Sequence, residues 1–505
     1  MKIKALFGIL FFTLFCIPTH SQEHHAPPRK EIRHKLQNHP QDNGIQLAAT
    51  RASGEYIMTE FPTKGEIKGV VILAAFADVP FSTDTISKLL SKRYNADNYT
   101  EEIKFKEYSD VYGQELPLQC TIPGSARDYF RTQSFDQFVP SFDVIGPIKL
   151  DSIRSYYGAN NSSGEDKNTT VMIREACQKA YDLGLTDFTD YDNDNDGTVD
   201  FVYVVYAGSD EAQTGISEAI WAKTSSISLT LGNGMKMGRY ACSGELVIDL
   251  PVVAGIGTFV HEFSHVLGLP DFYNTAKEDF TMDLWSVMDY GMYNAEGFVP
   301  CAYTAFERYS LGWIPMQTLD KPATMSIGTT NEENKGYRIY TSGTETVIDT
   351  TSFYLLETIR KEGWNQYVPA NGLLISEVTY NRSAWRNNTV NTGLHRHCIV
   401  PADNNYSYKT ANKHLFGTVN HEFSLTSSPA SITQFGATMD KPLTDISYNA
   451  STGKTSFNFL GGSGVGSPSI LSPQPSTEIY DLLGRPISNP TKGIYIVNGK
   501  KVIFK

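Results

Sequence analysis

The sequence predicts an α/β domain, followed by a mostly antiparallel β domain and a short β segment at the C-terminus. Three observations predict this fold class. Continuous apolar runs at 69–78 and 199–207 are typical of strands that are buried on both faces of a sheet. Segments with helical periodicity accompany these runs, at 125–134 and 170–183. From about 319 to 460, short strand-like runs alternate with Asn, Gly, Pro and Ser, which favours antiparallel β structure.

The composition is typical of a soluble globular protein of two or three domains, with 505 residues, 40% hydrophobic and 19% charged. The formal net charge is −12, and the sequence contains no block of clustered Lys and Arg residues. Both features argue against a nucleic-acid partner. After the N-terminus, no apolar run has the length that a transmembrane segment needs.

The N-terminus has the features of a signal peptide at 1–21. Two lysines precede the apolar run 5–17, and small residues precede a predicted cut after Ser21. We therefore expect a protein that is secreted or held at the cell surface. The polar and weakly periodic stretch 22–65 is interpreted as a leader or short pro-segment.

The remaining chain divides by composition into four parts. We predict the α/β domain at 66–318, the β-rich domain at 319–460, a flexible Gly- and Ser-rich linker at 461–477 and the C-terminal segment at 478–505.

Cysteine contributes little to the predicted scaffold. Five cysteines follow the signal peptide, which allows two disulfides at most. Cys177 shares one helical face with apolar neighbours and is predicted to be a buried free thiol.

The stretch HEFSHVLGLPD is the most informative part of the chain. On a helix, His261 and His265 project from one face, so two imidazoles can meet one metal ion. Glu262 beside them is placed to hold and deprotonate a metal-bound water. Gly268 can end the helix, and the returning chain would bring in Asp271 as a third ligand. With a fourth position open, this is the arrangement of a hydrolytic zinc site.

The third ligand has alternatives in the sequence. Asp283 and Asp289 carry suitable oxygens, and some zinc sites use a downstream Glu instead. Glu278 and Glu296 do not have the spacing of that class, and Asp271 is the preferred ligand. The alternative to any metal site is an amphipathic core helix whose two histidines bind neighbouring groups.

The stretch WSVMDY follows the motif. Met288 lies 17 residues after Asp271, where a tight turn would place an apolar floor beneath the metal. Tyr290 could then reach the edge of the metal and steady the oxyanion of a tetrahedral intermediate.

A second cluster of ligand-type side chains is the acidic stretch DNDNDGTVD. Oxygen donors at alternating positions with a glycine at the turn predict a structural calcium site. Its predicted ligands are Asp192, Asp194, Asp196, Thr198 and Asp200. Tyr203 stands where an EF-hand loop has its last Glu, so the loop is expected on a strand edge. The alternative is a solvated acidic turn.

HEFSHVLGLPD and SVMDY together resemble the metzincin clan of zinc endopeptidases, whose pattern is HExxHxxGxx(H/D) followed by a Met-containing turn. Within that clan the sequence resembles the immune inhibitor A family, and the likeness covers most of 66–460. It includes GSARDYFRTQSFDQFVPSFDVIGP, YDNDNDGTVDFVYVVYAG and YLLETIRKEGWNQYVPANGLLI. The resemblance implies zinc on the two histidines and Asp271, Glu262 as the general base, and calcium on the acidic loop.

The tail EIYDLLGRPISNPTKGIYIVNGKKVIFK resembles the C-terminal sorting segments of proteins exported by type IX secretion. It implies an outer-membrane secretion machinery as a partner.

The predicted function is therefore a secreted zinc endopeptidase that acts on protein or peptide substrates. One alternative is a catalytically idle adhesin or binding module on a protease fold; another is a zinc exopeptidase. An extended substrate is expected to add to an edge strand of the catalytic sheet, within 235–245.

Overall fold

The computed structural model describes residues 24–27, 61–104, 119–248, 252–341, 350–462, 479–480, 493–497 and 500–504. The predicted signal peptide lies outside the described residues, as do most of the predicted leader and all but 461–462 of the predicted linker. No helix in the described part of the chain is both long enough and apolar enough to cross a membrane.

The first half of the described chain surrounds a seven-stranded mixed sheet. The strands of this region are β1 (His24–His25), β2 (Gly65–Ala75), β3 (Glu101–Lys104), β4 (Gln119–Ile122), β5 (Phe138–Lys149), β6 (Thr198–Val199), β7 (Val202–Ser209), β8 (Lys223–Thr230) and β9 (Lys236–Leu246). The sheet order is β1-β8-β9-β7-β2-β5, with β6 beside β9, while β3 and β4 form a separate ribbon.

Strand direction divides this sheet into two parts. Strands β5, β2, β7 and β9 run parallel, whereas β8 is antiparallel to β9 and β1 is antiparallel to β8. The two apolar runs of the sequence form β2 and β7, and every residue of β7 is buried. Both strands lie in the interior of the sheet, where helices cover the two faces, so neither needs a polar side.

Seven helices are described in this region. They are α1 (Ile86–Asn95), α2 (Ala126–Gln133), α3 (Arg154–Gly158), α4 (Thr169–Asp182), α5 (Glu211–Thr214), α6 (Gly257–Val266) and α7 (Ala305–Ser310), with 3-10 segments at Thr189–Tyr191, Asp283–Trp285 and Tyr290–Gly297. The helices predicted at 125–134 and 170–183 are confirmed as α2 and α4. Helix α2 begins at a capping box, in which Ser125 and Asp128 each accept the other's backbone N–H.

Aromatic packing fixes α6 on one face of the sheet. The ring of Phe263 lies 5.1 Å from Phe130, 5.3 Å from Phe142 and 5.1 Å from Phe201, measured between centroids. On the other face, α4 buries its apolar side together with Cys177. All five cysteines of the described chain are buried free thiols, so the predicted thiol at position 177 is confirmed.

The β-rich region contains two further sheets. Its strands are β10 (Met316–Thr318), β11 (Ala323–Ile327), β12 (Gly336–Tyr340), β13 (Thr350–Ile359), β14 (Gly372–Asn381), β15 (His397–Ile399), β16 (Leu443–Asn449) and β17 (Lys454–Phe459). The orders are β10-β12-β13-β14-β15 and β11-β17-β16. Every pair is antiparallel except β10 with β12.

Short helices connect the strands of the β-rich region. They are α8 (Thr330–Glu333) and α9 (Arg382–Arg386), with 3-10 segments at Gly363–Asn365 and Tyr408–Lys413. Strand β10 lies before the predicted boundary at 319, yet it belongs to the second sheet through β12. At the C-terminus, β18 (Ile479–Tyr480), β19 (Gly493–Val497) and β20 (Lys500–Phe504) form a three-stranded antiparallel sheet.

Candidate metal centre

Helix α6 packs one face against the sheet and presents the two histidines of the motif on the other. Phe259 and Phe263 precede His261 and His265 by two residues each. Two residues correspond to a rotation of about 200° around the helix axis, so the phenylalanines and the histidines lie on opposite faces. The phenylalanines therefore anchor the helix while the imidazoles face the candidate site, where they are 0% and 3% exposed. Gly268 follows the helix with a φ of 99°, the left-handed conformation that favours glycine at a helix end.

Backbone carbonyls fix the orientation of both imidazole rings. Nδ1 of His261 lies 2.8 Å from the oxygen of Val287, and Nδ1 of His265 lies 2.8 Å from the oxygen of Leu269. A carbonyl oxygen only accepts, so each Nδ1 carries the proton and each Nε2 presents a lone pair. The two Nε2 atoms are 3.3 Å apart.

The chain returns after Gly268 and brings a carboxylate to the same point. Oδ1 of Asp271 lies 3.4 Å from Nε2 of His261 and 3.2 Å from Nε2 of His265. In a tetrahedral zinc site with bonds of about 2.0–2.1 Å, neighbouring ligand atoms lie about 3.3–3.4 Å apart. The three donors therefore fit one zinc ion in both chemistry and spacing.

The alternative third ligands lie elsewhere. Asp289 accepts the hydroxyl of Thr281 at 2.6 Å and the backbone N–H groups of Asp283 and Tyr290 at 2.7 and 2.8 Å. Among the described residues, the metal-type cluster around the helix contains Asp271 and neither Asp283 nor Asp289. The structure thus brings together the preferred ligand set, whose metal binding stays a prediction.

The turn at 286–291 supports the site through its backbone. The carbonyl of Val287 accepts from His261, and the carbonyl of Met288 accepts the N–H of Phe272, the residue after Asp271. Met288 itself is fully buried. Gly291 closes the turn, where a Cβ atom would lie only 2.4 Å from the oxygen of Ser286. The turn is therefore a rigid link between the helix and the returning chain.

The carboxylate next to the first histidine contacts the sheet. Glu262 is fully buried, and its Oε2 accepts the hydroxyl of Thr224 on β8 at 2.6 Å. The same hydroxyl lies 3.0 Å from the backbone oxygen of Glu262. The carboxylate of Glu262, the candidate base, is thus held by β8, which lies next to the edge strand β1. Tyr290 is 4% exposed at the end of the turn, and its role at an oxyanion stays a prediction.

The sequence model of the immune inhibitor A peptidase M6 catalytic domain matches residues 58–314. This stretch is about half of the chain and contains the histidines, Asp271 and the turn. The chain belongs to the M6 family of immune inhibitor A peptidases.

Two relatives are metalloproteases or immune inhibitors by name. The chain is 24% identical over 315 residues to the pre-pro-metalloprotease PrtV of Vibrio cholerae, which is 53% of this chain and 33% of the relative. It is 26% identical over 274 residues to immune inhibitor A of Bacillus thuringiensis subsp. alesti, which is 47% of this chain and 38% of the relative. The matches thus span about a third of the length of these relatives.

The edge of the seven-stranded sheet in this M6 family member differs from the prediction. The expected substrate edge at 235–245 is wrong, because β9 lies inside the sheet between β7 and β8. Strand β8 is the outer long strand, and β1 covers it in antiparallel register, with His24 opposite Thr224. The error arises because an amphipathic strand pattern does not show which neighbours a strand acquires.

Burial sets the charge state of the first histidine of the peptidase. Burial lowers the pKa of His261, while the nearby carboxylate of Asp271, which favours the protonated ring, raises it by a smaller amount. The pKa of this imidazole is therefore below the ordinary value for histidine, and the ring is neutral at pH 7. A neutral imidazole is the form that binds a metal.

The acidic loop of the peptidase forms a second cluster. Carboxylate oxygens of Asp192, Asp194 and Asp196 lie within 4.8 Å of one another. Asp200 faces Asn193 instead and accepts its backbone N–H at 2.7 Å, while burial raises the pKa of this carboxyl. A cavity of about 230 Å³ lies beside the loop, and its lining includes Asp194, Asp196, Thr198 and Asp200. The calcium site stays a prediction.

Two residues that contact the candidate site were not predicted from the sequence. Thr224 holds Glu262, and Asn388 binds Asp271 from the β-rich region, 117 residues away in the chain. No local pattern marks either residue, since each is a common polar side chain whose partner is set by tertiary contact.

Proposed function

We propose that this M6 peptidase is a secreted zinc endopeptidase with His261, His265 and Asp271 as its metal ligands. The observation that carries the proposal is the set of three buried donor atoms at 3.2–3.4 Å from one another. That spacing is the edge length of a tetrahedral zinc site. Membership of a metallopeptidase family supports the same reaction class.

When bound, zinc would supply Lewis acidity, polarising the scissile carbonyl and lowering the pKa of the attacking water. Glu262 would accept the proton of that water and deliver a proton to the leaving amine. Thr224 orients the carboxylate of Glu262 through its hydroxyl. Tyr290 would stabilise the oxyanion that develops on the substrate carbonyl.

The substrate is proposed to bind as an extended strand on β8. Thr224 of β8 contacts the catalytic carboxylate, so a chain paired with this strand would pass beside the reacting groups. In the structure β1 occupies this position beside β8. Its antiparallel pairing supports the proposal, because the same backbone groups of β8 would bind a substrate strand. Backbone pairing binds internal stretches of a polypeptide, and this favours cleavage within chains over trimming of their ends.

Two further parts of the proposal concern the surroundings of the site. Asp192, Asp194 and Asp196, with Thr198 and Asp200 nearby, would bind a calcium ion that rigidifies the loop before β6. The signal peptide would direct export, and the C-terminal segment would engage an outer-membrane secretion machinery.

The deciding experiment is the Glu262→Gln variant of the full chain. It should keep its zinc content and lose about 10²–10⁴-fold in kcat/KM on casein-derived peptides, because only the proton transfer is removed. Glu422→Gln is a matched control, since His421–Ser424 repeats the letters HEFS without a second histidine. A Glu262→Gln variant that cleaves at the rate of the unaltered protein would disprove the mechanism.

Cleavage-site mapping by mass spectrometry separates the remaining functions. Cuts within peptides are expected from an endopeptidase, whereas release of terminal residues alone would identify an exopeptidase. A zinc-loaded protein that cleaves nothing in a proteome-derived peptide library would identify an idle binding module.

A further inference from the structure

A buried asparagine from the β-rich region grips the third metal ligand. Nδ2 of Asn388 donates to Oδ2 of Asp271 at 2.7 Å, and the backbone N–H of Asp271 donates to Oδ1 of Asn388 at 2.7 Å. Both side chains are 1% exposed. The side-chain amide of Asn388 therefore binds both the carboxylate and the backbone N–H of Asp271. These two bonds fix the position and the rotation of the Asp271 side chain.

The loop that carries Asn388 is built to hold this contact. Asn388 follows helix α9 with a φ of 52°, a left-handed conformation that asparagine adopts more readily than most residues. The N–H of Thr389 donates to the oxygen of Ala384 and secures the loop to the end of α9. Asn391 binds the oxygen of Phe272 at 2.6 Å, so the loop contacts the ligand segment at two successive residues.

The two oxygens of Asp271 thus have separate partners. Oδ1 faces the two histidine Nε2 atoms at 3.2 and 3.4 Å, while Oδ2 accepts the amide of Asn388. A carboxylate that binds zinc through both oxygens would need to turn Oδ2 toward the metal and lose this hydrogen bond. The contact therefore favours binding through one oxygen, which leaves a fourth tetrahedral position open.

We propose that Asn388 is a positioning residue of the metal centre, which holds Asp271 as a single-oxygen ligand and makes the site depend on the β-rich region. The inference rests on the proposed zinc ligation. Asn388 lies outside the stretch 58–314 that matches the catalytic-domain model, so the contact comes from the β-rich region. Hydrogen bonds from outer residues orient metal ligands and tune the affinity of a site.

The test uses Asn388→Gly in the full chain. Glycine accepts the left-handed backbone, so the change removes the amide with little strain. Competition with a chelator of known zinc affinity should show zinc binding weakened about 10–100-fold, the usual effect of losing such an outer contact. Cobalt substituted for zinc should show altered visible absorption bands, because these bands report the geometry of the ligands.

Asn391→Ala is the matched control. Asn391 lies in the same loop with the same 1% exposure, but its partners are backbone groups of Phe272, Arg396 and His397. Its loss should lower thermal stability and leave zinc affinity within about twofold, since no ligand atom is touched. An equal loss of zinc affinity in both variants would show that general loosening of the loop is the cause, and would overturn the proposal.

A second variant covers the case in which Asn388→Gly does not fold. Asn388→Asp keeps the size of the side chain and the acceptor for the N–H of Asp271, and at a pH where its carboxyl is ionised it has no donor for Oδ2. Its cobalt spectrum should differ from that of the unaltered protein, and an unchanged spectrum would overturn the proposal. Failure of the proposed function is distinguishable, because the unaltered chain itself would then not bind zinc.

Discussion

At the scale of single residues, buried carboxyl groups beside β8 make the stability of the protein depend on pH. Burial raises the pKa of Glu211 to about 8, and Lys223 lowers it by a smaller amount. Lys223 forms a buried ion pair with Asp166 at 2.9 Å, so the charge of this lysine is shared between Asp166 and Glu211. Glu211 accepts the amide of Asn160 at 2.8 Å, a weaker partner than a second cation.

Glu211→Gln is expected to reduce the loss of stability as the pH rises from about 5 to 8. Folded Glu211 holds its proton more tightly than the unfolded chain, where its pKa is near 4.5. The proton's contribution to stability is therefore complete below pH 4.5 and is lost as the pH rises through about 8. Between pH 5 and 8, the free energy of unfolding of the unaltered protein should fall relative to the variant by at least about 1.4 kcal/mol, the equivalent of one pKa unit.

Urea unfolding with a metal chelator present measures this difference, because the chelator removes the contribution of the metal site from both proteins. Glu218→Gln is the control, since Glu218 is exposed and lies in the same region of the chain. A difference between Glu211→Gln and the unaltered protein that stays constant with pH would contradict the assignment.

At the scale of elements, β1 pairs with β8, the strand on which we propose that the substrate binds. The N–H of Ala26 donates to the oxygen of Ala222 at 2.9 Å, and Trp221 donates its indole N–H to the oxygen of Ala26. Tyr293 binds the oxygen of Pro27 at 2.7 Å. A substrate strand on β8 needs the same backbone groups, so β1 and substrate cannot bind together.

Ala26→Arg is expected to raise peptidase activity. Ala26 is fully buried and its pocket does not accommodate an arginine, so the segment 24–27 should detach from β8. The value of kcat/KM on an internally quenched peptide should rise at least about tenfold, which corresponds to about 1.4 kcal/mol. Ala26→Gly keeps the backbone contacts without the clash and should match the unaltered protein. Equal activity of all three proteins, with the segment shown intact by mass spectrometry, would refute competition at β8.

At the scale of the whole molecule, the α/β and β-rich regions share one hydrophobic core. The ring of Phe272, the residue after Asp271, lies 6.4 Å from Trp385, and the ring of Phe306 on α7 lies 6.2 Å from both Trp385 and Phe353. A buried hydrogen bond of 2.8 Å from Ala305 to Glu357 adds a polar contact between the regions. The shared core indicates that they unfold together.

Trp385→Ala is expected to destabilise the whole protein. Removing this buried ring should cost about 3–5 kcal/mol. Calorimetry should show a single transition in the unaltered protein and a single, lower transition in the variant, with zinc released at the same temperature. Two separate transitions, of which only one moves, would show that the regions are independent. Tyr408→Ala is a suitable control because its ring is 41% exposed.

Local patterns predicted much of the fold and part of the candidate site. Helix α2 and the apolar strand β7 formed as expected, because helical periodicity and a continuous apolar run are patterns of neighbouring residues. The spacing of HEFSHVLGLPD placed three donor atoms together for the same reason, since a helix and a glycine turn set their positions.

Long-range pairing could not be predicted in this way. The sequence did not show that β8, rather than β9, is the outer strand, or that β1 covers it. It did not show that Asn388 binds Asp271 across 117 positions. Such contacts depend on how sheets and loops pack against one another, and a single polar residue has many partners that would satisfy it equally well.

The sequence by itself determined the metal-type chemistry of the protein and the helix that carries it, because ligand identity and a four-residue spacing are local properties. The tertiary structure alone decided which strand borders the candidate site and which region holds Asp271 in place. These choices depend on burial and on hydrogen-bond partners that exist only after the two regions have packed together.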